Sequence, residues 1–105
     1  MLALVFSYEA RDPAEFELVY GPEGEWAEFF RTGQGYIGTE LLRDLETPGR
    51  YVVIDRWESA DTYNVFVAEH REEYMRRSDE SAFYYEQELR IGTFENVWGT
   101  PAPNG

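Results

Sequence analysis

The sequence predicts one α+β domain, a four-stranded antiparallel sheet with helices on one of its faces. Three observations carry this prediction. Four segments alternate their side chains with the two-residue period of strands, two longer regions space apolar residues as helices do, and together they run β-α-β-β-α-β. A chain of 105 residues suits a single hydrophobic core, since such cores belong to domains of about 100–150 residues.

The first strand is read from Leu2, Leu4, Phe6 and Tyr8, which alternate with Ala3, Val5, Ser7 and Glu9 to make one bulky face and one small one. Asp12-Pro13-Ala14-Glu15 then starts a helix: Asp12 caps it, Pro13 suits its first position, and Glu15 stands three residues after the cap. Phe16 and Val19 continue it, Gly21-Pro22 interrupts it, and Trp26, Phe29 and Phe30 resume the apolar stripe among Glu23, Glu25 and Glu28. The result is one broken helix or two short ones, closed by Gly33-Gln34-Gly35.

The second strand, Tyr36 to Arg43, sets Ile37, Thr39 and Leu41 on one face. Thr47-Pro48-Gly49 turns the chain into a third strand, Tyr51 to Trp57, dense in β-branched and aromatic residues, so the two form a hairpin. Ser59 caps the next helix, whose inward face carries Tyr63, Phe66, Val67, His70 and Tyr74, with Glu72–Arg76 and Glu73–Arg77 paired outside. A break is expected around Ser78-Asp79, Phe83 to Tyr85 add a further turn, and Leu89, Ile91 and Thr93 mark the fourth strand. Residues 99–105 read as a flexible tail, which leaves residues 1–98 as the domain.

This order matches the ferredoxin-like split motif, with helices on one face of the sheet. The third strand is apolar on both sides, Val52 and Ile54 on one, Tyr51, Val53 and Trp57 on the other. A monomer would therefore expose an apolar sheet face, and patches beyond a few hundred Å² mark interfaces. Face-to-face pairing of two copies about a two-fold axis covers it, giving a homodimer and a dimeric α+β barrel.

Composition narrows the function classes. The net charge of −12 opposes binding to phosphate backbones and anionic membranes, so no nucleic acid and no membrane partner is expected. Cysteine is absent, which removes disulfides and thiolate chemistry, and all nine basic residues are arginines, so no lysine is present to form a Schiff base. The apolar start from Met1 to Phe6 lacks a positive flank and meets Ser7, Tyr8 and Glu9 too soon for a signal peptide, which points to a cytoplasmic protein. The acidic clusters Glu23/Glu25/Glu28 and Glu69/Glu72/Glu73 are spread along helices rather than convergent, so no metal is expected there.

Gly35-Tyr36-Ile37-Gly38-Thr39-Glu40-Leu41-Leu42, the strand Tyr51-Val52-Val53-Ile54-Asp55-Arg56-Trp57 running into Glu58-Ser59, and Tyr63-Asn64-Val65-Phe66 on the following helix resemble the antibiotic biosynthesis monooxygenase domain family. The resemblance spans about Leu2 to Phe94 and implies a small dimeric ferredoxin-like protein. Its members include cofactor-free oxygenases of phenols and quinols, haem-degrading enzymes, and proteins with no assigned reaction. The haem-degrading members carry an Asn on the first strand, a Trp on the helix after the Trp-Glu-Ser segment and a haem-ligating His further on. Here Ser7-Tyr8, Phe66 and Arg76 stand near those places, so haem breakdown and a stoichiometric haem complex are not expected.

On the resemblance, the leading reading is a cofactor-independent monooxygenase of a small phenol, quinol or polycyclic aromatic; the competing one is a dimeric module that binds such a molecule without reaction. His70 is the only side chain whose ordinary pKa, about 6.5, suits proton exchange near neutrality, and is the candidate base toward a phenolic proton. Against this, a single histidine at a core-to-surface boundary is usually a satisfied structural residue. Trp26, Tyr36, Tyr63 and Phe66 are the candidate pocket walls, set against ordinary core packing for the same rings. Phe29, Phe30 and Trp57 are read as core. Asp55 and Arg56, adjacent on a strand, point to opposite faces, and each is read as a partner in an ion pair rather than as catalytic.

Overall fold

The computed structural model describes residues 1–97; the predicted tail at 99–105 lies outside the described residues. The elements are β1 (Leu2–Ala10), α1 (Pro13–Tyr20), α2 (Glu25–Phe30), β2 (Tyr36–Arg43), β3 (Arg50–Trp57), α3 (Ala60–Glu69), α4 (Arg71–Ser81) and β4 (Tyr85–Glu95), with a short 3₁₀ turn at Ala82–Tyr84. The strands form one sheet in the order β2-β3-β1-β4, antiparallel at every pairing. This is the α+β ferredoxin-like arrangement the element order predicted.

Local chemistry sets the boundaries. Asp12 accepts hydrogen bonds from the backbone N–H of Ala14 at 3.0 Å and Glu15 at 3.3 Å, with Pro13 following at the first helical position. Ser59 caps α3 in a reciprocal pair with Thr62. Gly35, at φ +90°, and Gly49, at φ +86°, occupy the left-handed region where a side chain would strain the turn. Gly21 ends α1 as the sequence indicated.

Two expectations need correction. The second helical region breaks at His70, not near Ser78-Asp79: His70 leaves helical geometry at φ −119°, ψ 27°, and α4 then runs unbroken to Ser81. Backbone bonds from His70 N–H to Phe66 O and from Tyr74 N–H to His70 O carry the chain across this kink. On β2, Ile37 does not share the face of Thr39 and Leu41. An irregularity in register between Tyr36 and Gly38 leaves Ile37 unpaired and 49 % exposed, while Thr39 is buried.

The helices cover the sheet face formed by Leu2, Leu4, Tyr8, Tyr51, Val53 and Trp57. The core has two lobes. One joins Leu2, Leu4 and Trp57 to Phe29, Phe30 and Phe66; the other joins Tyr8, Tyr51 and Val53 to Phe16, Val19 and Tyr20. Phe16 stacks on Tyr20 at 4.4 Å, and such ring pairs contribute about 0.5–1.5 kcal/mol beyond the area they bury. Phe6 and Trp26 touch both lobes and mark the seam between them.

The opposite face stays open in the single chain. Leu42 and Leu89 are 47 % and 55 % exposed, and Val52 and Ile54 are half-buried. Among the described residues no helix is long and apolar enough to cross a membrane.

Candidate active site

The seam between the lobes opens into a cavity of about 220 Å³. The sheet supplies one wall through Phe6, Tyr8, Val53 and Asp55, because the alternation of β1 and β3 points these four to the helices. Trp26 and Phe30 of α2 form a second wall. Tyr74, Ser78 and Ser81 of α4, spaced by four and three, share the helix face that closes the third. Tyr85 and Glu88 bring β4 to the rim.

Most of the lining is aromatic, and a few polar groups break it. Asp55 is only 8 % exposed, and its Oδ1 accepts a hydrogen bond from the Thr39 hydroxyl at 2.6 Å. The Thr39 oxygen in turn meets the Tyr36 hydroxyl. Since Thr39 has one hydroxyl hydrogen and gives it to Asp55, Tyr36 is the donor in that second bond. A relay of Tyr36, Thr39 and Asp55 therefore ends on the carboxylate at the cavity wall. Burial pushes the Asp55 carboxyl up to about 6, against the bond from Thr39, which pulls it down.

The phenols around the cavity move the other way functionally: burial first, then its bond to Glu88, holds Tyr8 far above its ordinary pKa. Burial likewise raises Tyr20 and Tyr74. All three stay protonated at working pH. Tyr8 donates to Glu88 Oε2 at 2.6 Å, and Trp26 Nε1 donates to Ser81 Oγ at 3.2 Å.

Of the residues singled out from sequence, Trp26 lines the cavity directly. Tyr36 reaches it through Thr39 and Asp55, and Tyr63 reaches it through its hydroxyl, 3.4 Å from that of Tyr74. Phe66 does not line it: the ring is 2 % exposed and packs on Phe29 and Trp57 at 4.9 and 5.2 Å. His70 does not line it either. Its Nδ1 lies 3.0 Å from the Phe66 carbonyl oxygen and its ring stacks on Phe66 at 4.3 Å, facing a separate groove with Gly33, Thr62 and Val65.

Asp55 does not form the ion pair expected of it: its carboxylate is held by the Thr39 hydroxyl, with no cation against it among the described residues. Thr39 and Glu88 were not among the sequence candidates. The sequence did hold a signal for Asp55: period-two alternation groups it with Tyr51, Val53 and Trp57 on the covered face, where a carboxylate is costly unless satisfied. Arg56, on the other face, forms the cross-strand ion pair expected of it, with Glu40 at 2.8 Å.

Known proteins share this fold. The fold superposes on a variant of SnoaB, described as a cofactor-independent oxygenase from Streptomyces nogalater, with TM-score 0.79, 22% identity, and 96% of this chain and 97% of that one covered. It also superposes on a monooxygenase from the ActVA-Orf6 gene of Streptomyces coelicolor in complex with nanaomycin D, with TM-score 0.67, 20% identity, and 97% and 91% covered. A third neighbour is a MhuD variant with two manganese protoporphyrin IX molecules per active site, with TM-score 0.71, 18% identity, and 97% and 100% covered. No curated protein matches in sequence. These likenesses establish the shared fold, and the family model for antibiotic biosynthesis monooxygenase matches residues 25–77, half of the chain. By that match this chain belongs to the antibiotic biosynthesis monooxygenase family.

Proposed function

We propose that this protein is a cofactor-independent monooxygenase of a small phenolic or quinol-type aromatic, working as a homodimer, with Asp55 as the base. One observation carries the reading: a buried carboxylate with its pKa raised to about 6 stands at the wall of an aromatic cavity. A general base works best with a pKa near the working pH, and burial brings Asp55 toward that range. The cavity, about 220 Å³, falls below the roughly 300–1,000 Å³ of drug-sized pockets, so the guest is compact.

In this scheme Asp55 takes the proton of a ring hydroxyl and leaves an electron-rich oxyanion. The ring passes one electron to dioxygen, the resulting radical pair joins through a new C–O bond, and the hydroperoxide so formed loses water. One oxygen atom enters the ring as a carbonyl and the other leaves as water; a phenol plus dioxygen gives a quinone plus water, and all four electrons come from the substrate. The proton held on Asp55 returns to the departing oxygen. Tyr36 and Thr39 orient the carboxylate, and Trp26 and Phe30 hold the ring flat.

Haem does not fit this cavity. Among the described residues no imidazole lines it, since His70 faces the other groove, and no arginine lines it to meet the carboxylates of a porphyrin. The likeness to the porphyrin-bearing neighbour is one of fold alone.

Oxygen uptake with a panel of phenols and hydroquinones tests the proposal. The wild-type protein is expected to consume oxygen with at least one of them, with a rate that rises with pH through about 6. Asp55→Asn lowers that rate by roughly 10²-fold or more, the usual contribution of a general base, while His70→Ala leaves it within about twofold. An Asp55→Asn protein as active as the wild type would remove the carboxylate from the mechanism. Binding of the ring without uptake would leave a small-molecule-binding module in place of an enzyme.

A further inference from the structure

We infer that the cavity selects its aromatic guest by charge, taking uncharged phenolic rings and refusing rings that carry a carboxylate, with Glu88 at the rim as the selecting residue. The inference rests on the reading of this cavity as the aromatic site. Among the described residues two carboxylates, Asp55 and Glu88, line it, and no arginine does.

The cations that come near are held elsewhere. Arg77 pairs with Glu73 at 3.0 Å and lies over the Phe29 ring at 4.6 Å. Arg90, two residues beyond Glu88 on β4, donates to Thr93 Oγ1 at 2.6 Å. Tyr8 donates to Glu88 Oε2 at 2.6 Å, and as a hydroxyl it brings no positive charge to the rim. The remaining hydroxyls, of Tyr20, Tyr74, Ser78 and Tyr85, are uncharged and suit a hydroxyl or carbonyl on the guest.

An anionic guest therefore meets three penalties together. It loses its hydration among aromatic rings, whose faces are themselves electron-rich. It approaches the Glu88 charge at the rim, and it finds Asp55 at the far wall. A neutral ring meets none of these, and its hydroxyl is a donor toward Asp55. Glu88 is the more readily tested of the two carboxylates because it is exposed and its removal leaves the core intact.

Calorimetric titration of the intact protein at roughly pH 7.5, where 2-naphthol is neutral and 6-hydroxy-2-naphthoate is an anion, provides the test. The expected result is naphthoate binding weaker than naphthol binding by about tenfold or more. Glu88→Gln keeps an acceptor for Tyr8 and removes the charge, and narrows that gap by about threefold or more. Glu46→Gln, an exposed site on the β2–β3 turn, changes the net charge equally and leaves the gap in place. Equal binding of the two probes overturns the charge selection and leaves the aromatic site standing, as does a Glu46→Gln effect as large as that of Glu88→Gln. Failure of both probes to bind overturns the aromatic site and this inference with it.

Discussion

At the scale of single residues, Asp55 couples function to stability. Its folded pKa, about 6, exceeds its ordinary value of 3.8, so between those values the folded state holds more protons than the unfolded one. Stability therefore falls as pH rises through this window, and above about 6 the whole cost of a buried charge, about 3 kcal/mol, is in place. Asn at this position keeps an acceptor for Thr39 and carries no charge. Asp55→Asn is thus expected to be more stable than the wild type near pH 8, by up to about 2–3 kcal/mol, and equal to it near pH 4. Urea unfolding at the two pH values measures this, and an Asp55→Asn protein less stable at both would show that the carboxylate is compensated by groups not identified in the fold. Trp57 is a second costly residue: fully buried, with an Nε1–H that has no partner among the described residues. Its ring packing on Phe30, Tyr36, Tyr63 and Phe66 offsets that orphan donor.

Between elements, the decisive contacts are close approaches that a side chain would block. A Cβ at Gly33 would run into the Phe66 ring, so this glycine is what lets α3 settle against the segment between α2 and β2. Gly33→Ala is expected to cost about 1–3 kcal/mol through overpacking, because Phe66 is pinned between Phe29 and Trp57 and has little room to yield. Gly38 has nothing within 4 Å of a built Cβ, so Gly38→Ala serves as the matched control and leaves stability within about 0.5 kcal/mol. Thermal melts of the pair separate steric contact from the general effect of losing a glycine. The kink at His70 matters in the same way, since it turns α4 so that Tyr74, Ser78 and Ser81 close the cavity.

For the whole molecule, the open sheet face leads to the proposed dimer. Leu42, Val52 and Leu89 sit on it beside Val5 and Ile54, an apolar surface that one chain leaves uncovered. Sedimentation equilibrium is expected to show a dimer at micromolar concentration, and Leu42→Glu, which places a charge in that face, to shift it to monomer. Each chain carries −12, so self-repulsion opposes pairing and the dimer should tighten as salt rises from low concentration. A folded wild-type monomer at these concentrations would refute the face-to-face arrangement.

What the sequence determined by itself was the order of elements, the caps at Asp12 and Ser59, the breaks at Gly21 and Gly35, and the two-faced character of β3. These depend on local periodicity and on backbone preferences of single residues, which adjacent positions reveal. The tertiary structure alone decided which rings are walls and which are core. Phe66 and His70 lie at helical spacing with Tyr74, yet the kink at His70 sends Tyr74 to the cavity and leaves His70 on the other side of Phe66. Asp55 owes its raised pKa to burial and its orientation to Thr39 on the neighbouring strand, and Glu88 meets Tyr8 across 80 positions of chain. Such partnerships arise from strand register and from desolvation, and both exist only once the sheet has formed.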